Sequence, residues 1–332
     1  MTHQEITELF ESFEHKTVLL IGDGMIDSYM WGDVNRQSPE APVPVVDVNA
    51  KEKRLGGAAN VAKNLVALGA RTIFCGFVGD DDNGMIFREL MAKNGLEQTG
   101  LFEIPGRHTT IKTRVIVNDK HVLRVDEEHT EKLEDAKPFI DSILEIIDKY
   151  TIDVIIFQDY NKGVITPALI SAVVAAANKK GIPTVVDPKK ENFLDFKNVT
   201  LFKPNLKEIK EGLGVFFDAS EADELKTNVS LLRTKLNAEM VLLTLSEQGV
   251  YIQSEKSEKH LPTFERKIVD VSGAGDTVVS VAALALAAGC QPESIALFAN
   301  LAGGLVCEKV GVVPIDKNRL VEEAQWHHSK FL

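Results

Sequence analysis

The sequence predicts an α/β fold with a mostly parallel central sheet, helices on both of its faces, and a small β-rich flap. Three observations carry this. Short β-branched runs alternate with helix-length amphipathic stretches, polar clusters follow the runs, and two strand-like stretches have no long helix beside them.

The runs at 18–21, 73–77, 154–157, 184–186, 199–202 and 241–245 are apolar without alternation, the pattern of strands covered on both faces. Periodic apolar residues predict helices over 58–68, 85–93, 133–149, 167–180, 221–236 and 277–288. Ile6, Leu9, Phe10 and Phe13 mark a short amphipathic helix at the start of the chain. The acidic residues Glu5, Glu8, Glu11 and Glu14 and the lack of an apolar stretch there make it unlike a secretory signal. The stretches 43–48 and 112–125 alternate in part and predict a discontinuous β flap, or lid, over roughly 33–52 and 107–126. Its apolar positions suit closure over a substrate, pairing with a second copy of the chain, or a plain edge hairpin. No repeat or Pro/Gly/Ser-rich linker divides the chain, so one domain is expected over 1–332.

With 44% hydrophobic and 26% charged residues the composition is that of a soluble globular protein. The net charge of -12 opposes a nucleic acid or an anionic membrane as partner, and any anionic ligand then needs a local basic pocket. The longest apolar stretch, 278–288, is too short to span a bilayer. Cys75, Cys290 and Cys307 form no CxxC spacing, which suits free thiols and a cytoplasmic location.

In open α/β sheets ligands sit outside the carboxyl ends of the strands. Polar clusters fall there, among them Gly22-Asp23-Gly24, Gln158-Asp159-Tyr160-Asn161-Lys162-Gly163, Asp187-Pro188-Lys189, Lys203-Pro204-Asn205 and Thr244-Leu245-Ser246-Glu247. Any one of them would serve as a turn and helix cap; together they suggest a site.

The most informative segment is Asp270-Val271-Ser272-Gly273-Ala274-Gly275-Asp276-Thr277, which opens an apolar helix. Glycines let successive N–H groups point one way and the helix terminus adds positive potential, so the segment suits a phosphoryl cradle with Asp276 as proton acceptor beside it. A glycine-rich turn with an Asp cap fits the same residues. No GxxxxGK[ST] occurs, and after the first strand Asp27 stands where a dinucleotide fingerprint needs its third glycine, so neither P-loop nor dinucleotide binding is expected. Asp27 suits sugar hydroxyls or a cap. Gly56-Gly57-Ala58-Ala59-Asn60 opens a helix and allows close approach of a polyol, with Asn60 offering a donor and an acceptor. Asn205 and Glu208, three apart, share a helix face that suits phosphate or Mg²⁺-water contacts, or a solvated helix turn.

On these motifs the chain resembles the ribokinase-like, or PfkB, carbohydrate kinases over nearly its whole length. Gly56-Gly57 with Asn60 resembles the N-terminal signature of that family, and Asp270 to Thr277 resembles its C-terminal signature, about two hundred residues later. The resemblance implies a three-layer ribokinase-like sandwich, ATP and Mg²⁺ as cofactors, and K⁺ in some members. It implies Asp276 as catalytic base and Gly273, Ala274 and Gly275 as anion hole. Asp27, Gly56, Gly57 and Asn60 become sugar contacts; Asn205 and Glu208 the phosphate and indirect Mg²⁺ region; Thr244, Ser246, Gly249 and Asn300 the nucleotide site. Asp270 falls where some relatives hold a monovalent cation.

A narrower resemblance rests on the segments 36–46, 123–128 and 203–205, which are similar to kinases acting on O1 of D-glycero-D-manno-heptose 7-phosphate in ADP-heptose and lipopolysaccharide core synthesis. Gln158 departs from the more usual Ser of the S-D-Y-x-K-G stretch. For the sugar's phosphate, Arg124, Lys162 and Lys189 are the expected contacts. His327-His328 does not match the H-x-G-H motif of the adenylyltransferase domain fused to many such kinases, so a kinase without that domain, homodimeric through the lid, is expected. A ribokinase-, fructokinase- or adenosine-kinase-like enzyme for an unphosphorylated substrate, and a non-catalytic sugar-phosphate-binding regulator, are the alternatives.

Overall fold

The computed structural model describes residues 1–331. In chain order the elements are α1 (His3–Glu11), β1 (Thr17–Gly22), β2 (Gly24–Gln37), β3 (Pro44–Gly57), α2 (Ala58–Ala67), β4 (Arg71–Gly79), α3 (Asp82–Lys93), β5 (Glu97–Ile104), β6 (Ile111–Val117), β7 (Lys120–Glu127), α4 (Lys137–Lys149), β8 (Val154–Gln158), α5 (Pro167–Lys180), β9 (Thr184–Asp187), β10 (Leu201–Phe202), α6 (Leu206–Leu213), α7 (Ala222–Leu236), β11 (Met240–Thr244), β12 (Val250–Ser254), β13 (Glu258–Leu261), α8 (Ala274–Ala287), α9 (Pro292–Val306) and α10 (Lys317–Phe331).

The large sheet has nine strands in the order β13-β12-β11-β10-β9-β8-β1-β4-β5, parallel from β5 to β11 and closed at one edge by the antiparallel β12 and β13. Its strands read as continuous apolar runs because both faces are covered. Val18, Leu20, Val154 and Ile156 pack with Phe10, Leu65, Val281 and Phe298 of one helical layer. Leu19, Ile21, Ile155 and Phe157 face the opposite way, toward Ile143, Val173 and Val229 of the other. The three-layer expectation holds.

The second sheet has four strands, β3-β2-β6-β7. It reaches further into the chain than the predicted flap, because β2 starts at Gly24, only Asp23 separating it from β1, and β3 runs directly into α2. β2 reads poorly as a strand: it is buried at its start and exposed beyond Val34, so no single hydrophobic pattern runs through it. Strands β5, β12 and β13 and helices α9 and α10 also lie outside the sequence-based expectation. Two boundaries move for clear reasons. α4 starts at Lys137 rather than 133, because Pro138 has no N–H to continue a helix from residue 134 and is tolerated only in a first turn. α8 starts at Ala274 rather than 277, after Gly273 takes φ 79° as its N-cap, so that Gly275 and Asp276 lie within the first helical turn. No helix among the described residues is long and apolar enough to cross a membrane.

Candidate active site

The carboxyl ends of β1, β8, β9, β10 and β11 converge on the first turn of α8, as the strand-end rule requires. Asp276 sits at that junction, 7% exposed. Asn60, in the first turn of α2, donates to its Oδ2 at 2.7 Å; the Tyr160 hydroxyl donates to Oδ1 at 2.7 Å, and the Gln158 amide approaches the same oxygen at 3.4 Å. Burial raises the Asp276 carboxyl to about 6, although the hydrogen bonds from Asn60 and Tyr160 pull the other way. A carboxylate poised there is ionised at neutral pH yet basic enough to accept a proton.

Gln158 also donates to Asp187 Oδ2 at 3.0 Å, and Lys203 pairs with Asp187 Oδ1 at 3.1 Å. Gln158 therefore bridges the end of β9 to Asp276. A serine at that position would be too short to do so, which gives the departure from the usual stretch a structural consequence. The Lys203 ammonium also lies beside Gly275, 3.9 Å from where a side chain would begin. It brings positive charge to the first turn of α8.

The 158–164 loop is held by two side chains that sequence reasoning did not assign to the site. Asp23 is fully buried and accepts from the backbone N–H groups of Tyr160, Lys162 and Val164 at 2.8, 3.1 and 3.0 Å. Burial pushes its carboxyl up, against the pull of those three donors. Arg107 donates to the carbonyls of Glu131 and His129 at 2.9 Å each, and to that of Lys162. Gly22-Asp23-Gly24 was among the strand-end clusters that suggested a site, but Asp23 itself was given no role there.

Asp27 lies on β2 at the root of the small sheet, 5% exposed, and accepts from Arg114 at 2.5 Å. A side chain at Gly56 would begin 2.2 Å from Asp27 Oδ2, so only glycine leaves that carboxylate in place. At Gly273 an added Cβ would come within 3.0 Å of Asn60 Nδ2. The two signature segments thus meet: Asp27, Gly56, Gly57, Asn60 and Asp276 are brought together through β2–β3 pairing and the α2–α8 contact. Asn60 Oδ1 is buried and without a hydrogen-bond partner. Arg114 was missed because nothing local in Thr113-Arg114-Val115 separates it from any strand arginine.

On the other side of Gly275 opens a cavity of about 600 Å³, whose lining includes Thr244, Ser246, Gly249 and Asn300, the four residues expected at a nucleotide site. Phe264 and Val278 also line it, giving it an apolar wall. Asn300 donates to the Pro262 carbonyl at 2.8 Å. A hollow of about 810 Å³ at the amino ends of the strands, around Asn198, Asn237 and Met240, is larger, but it lies at the edge of the sheet opposite every group described above.

Asn205 and Glu208 form a capping box on α6: Asn205 Oδ1 accepts from Glu208 N at 2.8 Å and Glu208 Oε2 accepts from Asn205 N at 2.9 Å. The other Glu208 oxygen bonds Lys189. Both carboxylate oxygens are therefore engaged within the protein, which suits an indirect metal contact and not direct ligation. No group of three or more His, Cys, Asp or Glu that could hold a metal ion occurs among the described residues. Asp270 accepts from Ser272 N at 2.9 Å and Gly311 N at 2.8 Å; burial would raise its carboxyl, but these donors hold it below the usual range.

The three basic residues expected at a sugar phosphate are each paired with a carboxylate. Lys162 meets Glu128 at 2.7 Å, Arg124 meets Asp126 at 2.9 Å, and Lys189 meets Glu208. Lys189 also lies over the Tyr160 ring, 5.6 Å from its centroid, which puts it on the Asp276 side of the site. Lys162 and Arg124 stand at the rim of the small sheet.

Residues 17–318 match the pfkB family carbohydrate kinases, and the chain belongs to that family. It is a phosphotransferase acting on a sugar hydroxyl. Among curated relatives, the bifunctional protein HldE of Geotalea uraniireducens (strain Rf4) is 38% identical over 99% of this chain, and that of Geobacter sulfurreducens 37% over 99%. In each case the chain spans 67% of the relative. Among solved structures, Escherichia coli phosphofructokinase-2 in complex with potassium superposes with TM-score 0.76 at 18% identity, covering 93% of this chain and 99% of that one. Arabidopsis thaliana ribokinase complexed with ribose and ATP gives TM-score 0.72 at 18% identity, covering 92% and 98%. Both likenesses establish the ribokinase-like fold.

Proposed function

We propose that the chain transfers the γ-phosphoryl group of ATP to O1 of D-glycero-D-manno-heptose 7-phosphate, with Asp276 as general base. The observation that carries the reading is the position of Asp276: buried, raised to about 6, and set between the Asp27–Asn60 side and the cavity beyond Gly275. The kinship with the HldE proteins supports the choice of heptose.

In this reading Asp27 and Asn60 bind sugar hydroxyls, and the acceptor hydroxyl faces Asp276. The hydroxyl oxygen forms the new bond to phosphorus, its proton passes to Asp276, and the bond from phosphorus to the ADP oxygen breaks. The N–H groups of Gly273, Ala274 and Gly275, with Lys203 beside them, stabilise the charge on the transferred group. Mg²⁺ would supply charge neutralisation on the nucleotide phosphates, and Glu208 would contact it through water. Asp270 is the candidate for a K⁺ contact. The small sheet acts as a lid, and Val122, Leu123 and Val125, exposed on β7, support pairing of two copies through it.

The test is coupled ADP release across a panel of sugars and sugar phosphates. Turnover is expected to be highest with heptose 7-phosphate, to require Mg²⁺, and to fall when K⁺ is replaced by tetramethylammonium. Equal kcat/KM for the heptose lacking its phosphate would overturn the substrate in favour of a ribokinase-like enzyme. No turnover with any sugar would leave a binding protein.

A further inference from the structure

Most cations around the site are paired with a carboxylate, Arg54 with Glu52 and Arg114 with Asp27 among them; Lys63 beside these two is not. Cross-strand pairing sets Arg54 opposite Asp27 and Arg114 opposite Tyr29, so these four side chains emerge on one face of the small sheet. The guanidinium carbons of Arg54 and Arg114 lie 4.9 and 5.4 Å from the centroid of the Tyr29 ring. Glu52 engages Nε and Nη2 of Arg54, each at 2.7 Å, which leaves Nη1. Asp27 engages Nη1 of Arg114, which leaves Nε and Nη2.

Lys63 joins them from α2, three residues after Asn60 and so on a neighbouring part of the same helix. It is half-buried, and among the described residues no carboxylate lies within ion-pair distance of it. Burial first, and then the Arg54 guanidinium, push its ammonium below the usual range, while Asp27 and Glu52 oppose that. Three cations therefore face two carboxylates, in a protein whose net charge is -12. Unpaired, partly buried cations are costly, and an anion binding here would remove that cost. Phosphate suits these groups, because the guanidinium nitrogens left free on Arg54 and Arg114, on either side of Tyr29, and the Lys63 ammonium are donors around Asp27.

We propose that Arg54, Lys63 and Arg114 form an anion subsite beside Asp27 that takes the distal phosphate of the sugar substrate. The proposal rests on the sugar-phosphate reading above, and it moves the phosphate from Arg124, Lys162 and Lys189 to a trio that the sequence did not single out. Arg114 also holds Asp27, so the diagnostic variants are Lys63→Met and Arg54→Gln, which leave that pair intact.

The first measurement is kcat/KM for heptose 7-phosphate relative to unphosphorylated heptose, at saturating ATP and Mg²⁺. Wild type is expected to favour the phosphorylated sugar, and each variant to lose about ten- to a hundredfold of that preference. A preference that survives in both variants overturns the subsite while leaving the sugar-phosphate reading standing. A wild type with no preference overturns the reading itself. The subsite is then judged by the second measurement, the Tm shift caused by inorganic phosphate with the nucleotide site saturated by ADP. A rise in wild type that both variants lose supports the subsite; no rise in wild type, or an equal rise in the variants, overturns it.

Discussion

The two halves of the site are built by different physics. At the edge of the large sheet, Asp276, Gln158, Asp187, Lys203 and Asp23 are buried and tied by hydrogen bonds into one network, with the strand ends and the 158–164 loop held around it. On the small sheet the groups are mostly cationic, partly exposed and arranged by strand pairing, and the one buried ion pair is Asp27 with Arg114. Buried polar networks keep a single arrangement because every broken link leaves an unsatisfied group. A sheet with one open face tolerates change in what it presents. In the proposed function the first half carries the chemistry and the second the choice of substrate, and four experiments test that division.

The largest effect is expected at Asp276. Asp276→Asn keeps the shape and removes the proton acceptor, so kcat falls by roughly 10²–10⁴-fold while nucleotide binding persists. Single-turnover kinetics check this, and near-normal turnover would remove the large sheet's claim to the chemistry.

Next comes the buried pair on the small sheet. Arg114→Met leaves Asp27 buried without a partner and costs about 3 kcal/mol of stability. Arg124→Met, whose side chain is 59% exposed, costs less than about 1 kcal/mol. Denaturant midpoints compare the two, and equal losses would show that Asp27–Arg114 is not the anchor of the sheet.

The third effect is on pH dependence. Asp276 must be ionised to accept a proton, so kcat/KM declines as pH falls through about 6. The Tyr160 hydroxyl bonds the ionised form, and its loss in Tyr160→Phe raises the carboxyl further. Asp187 opposes ionisation and Lys203 favours it, and neither is altered by that substitution. The acid limb is therefore expected to move up by about one pH unit. An unmoved limb would mean that Tyr160 does not position the base.

The smallest effect is at Glu208. Glu208→Gln preserves the capping box, since Gln serves at that position, but weakens the contact with Lys189. Stability should change by about 0.5 kcal/mol, while the Mg²⁺ concentration for half-maximal rate rises more than the sugar KM. A larger change in the sugar KM would move Glu208 to the sugar side.

Much of this was legible in the sequence. The apolar runs marked six strands of the large sheet because burial on both faces leaves no alternative to hydrophobic residues there. Asp270 to Thr277 and Gly56 to Asn60 were legible as turns that open helices, since they combine glycines, a small polar residue and a helix start over a few positions. Strand β2 was not, because its inner half belongs to the core and its outer half to solvent. The pairing of Lys162, Lys189 and Arg124 with carboxylates was equally hidden, as their partners Glu128 and Glu208 come from other elements and Asp126 is one strand carboxylate among several.

By itself the sequence determined the α/β class, the buried strands and the glycine-bearing turns that open α2 and α8, because each depends on residues close together in the chain and on burial. Only the tertiary structure decided that Asn60 and Tyr160 would hold Asp276, that Gln158 would bridge it to Asp187, and that Lys63 would stand near the paired Arg54 with no carboxylate of its own. Asn60 and Asp276 are 216 residues apart, and Asp27 and Arg114 are 87. Contacts over such separations follow from how strands register and helices dock, and no local pattern of residue types encodes them.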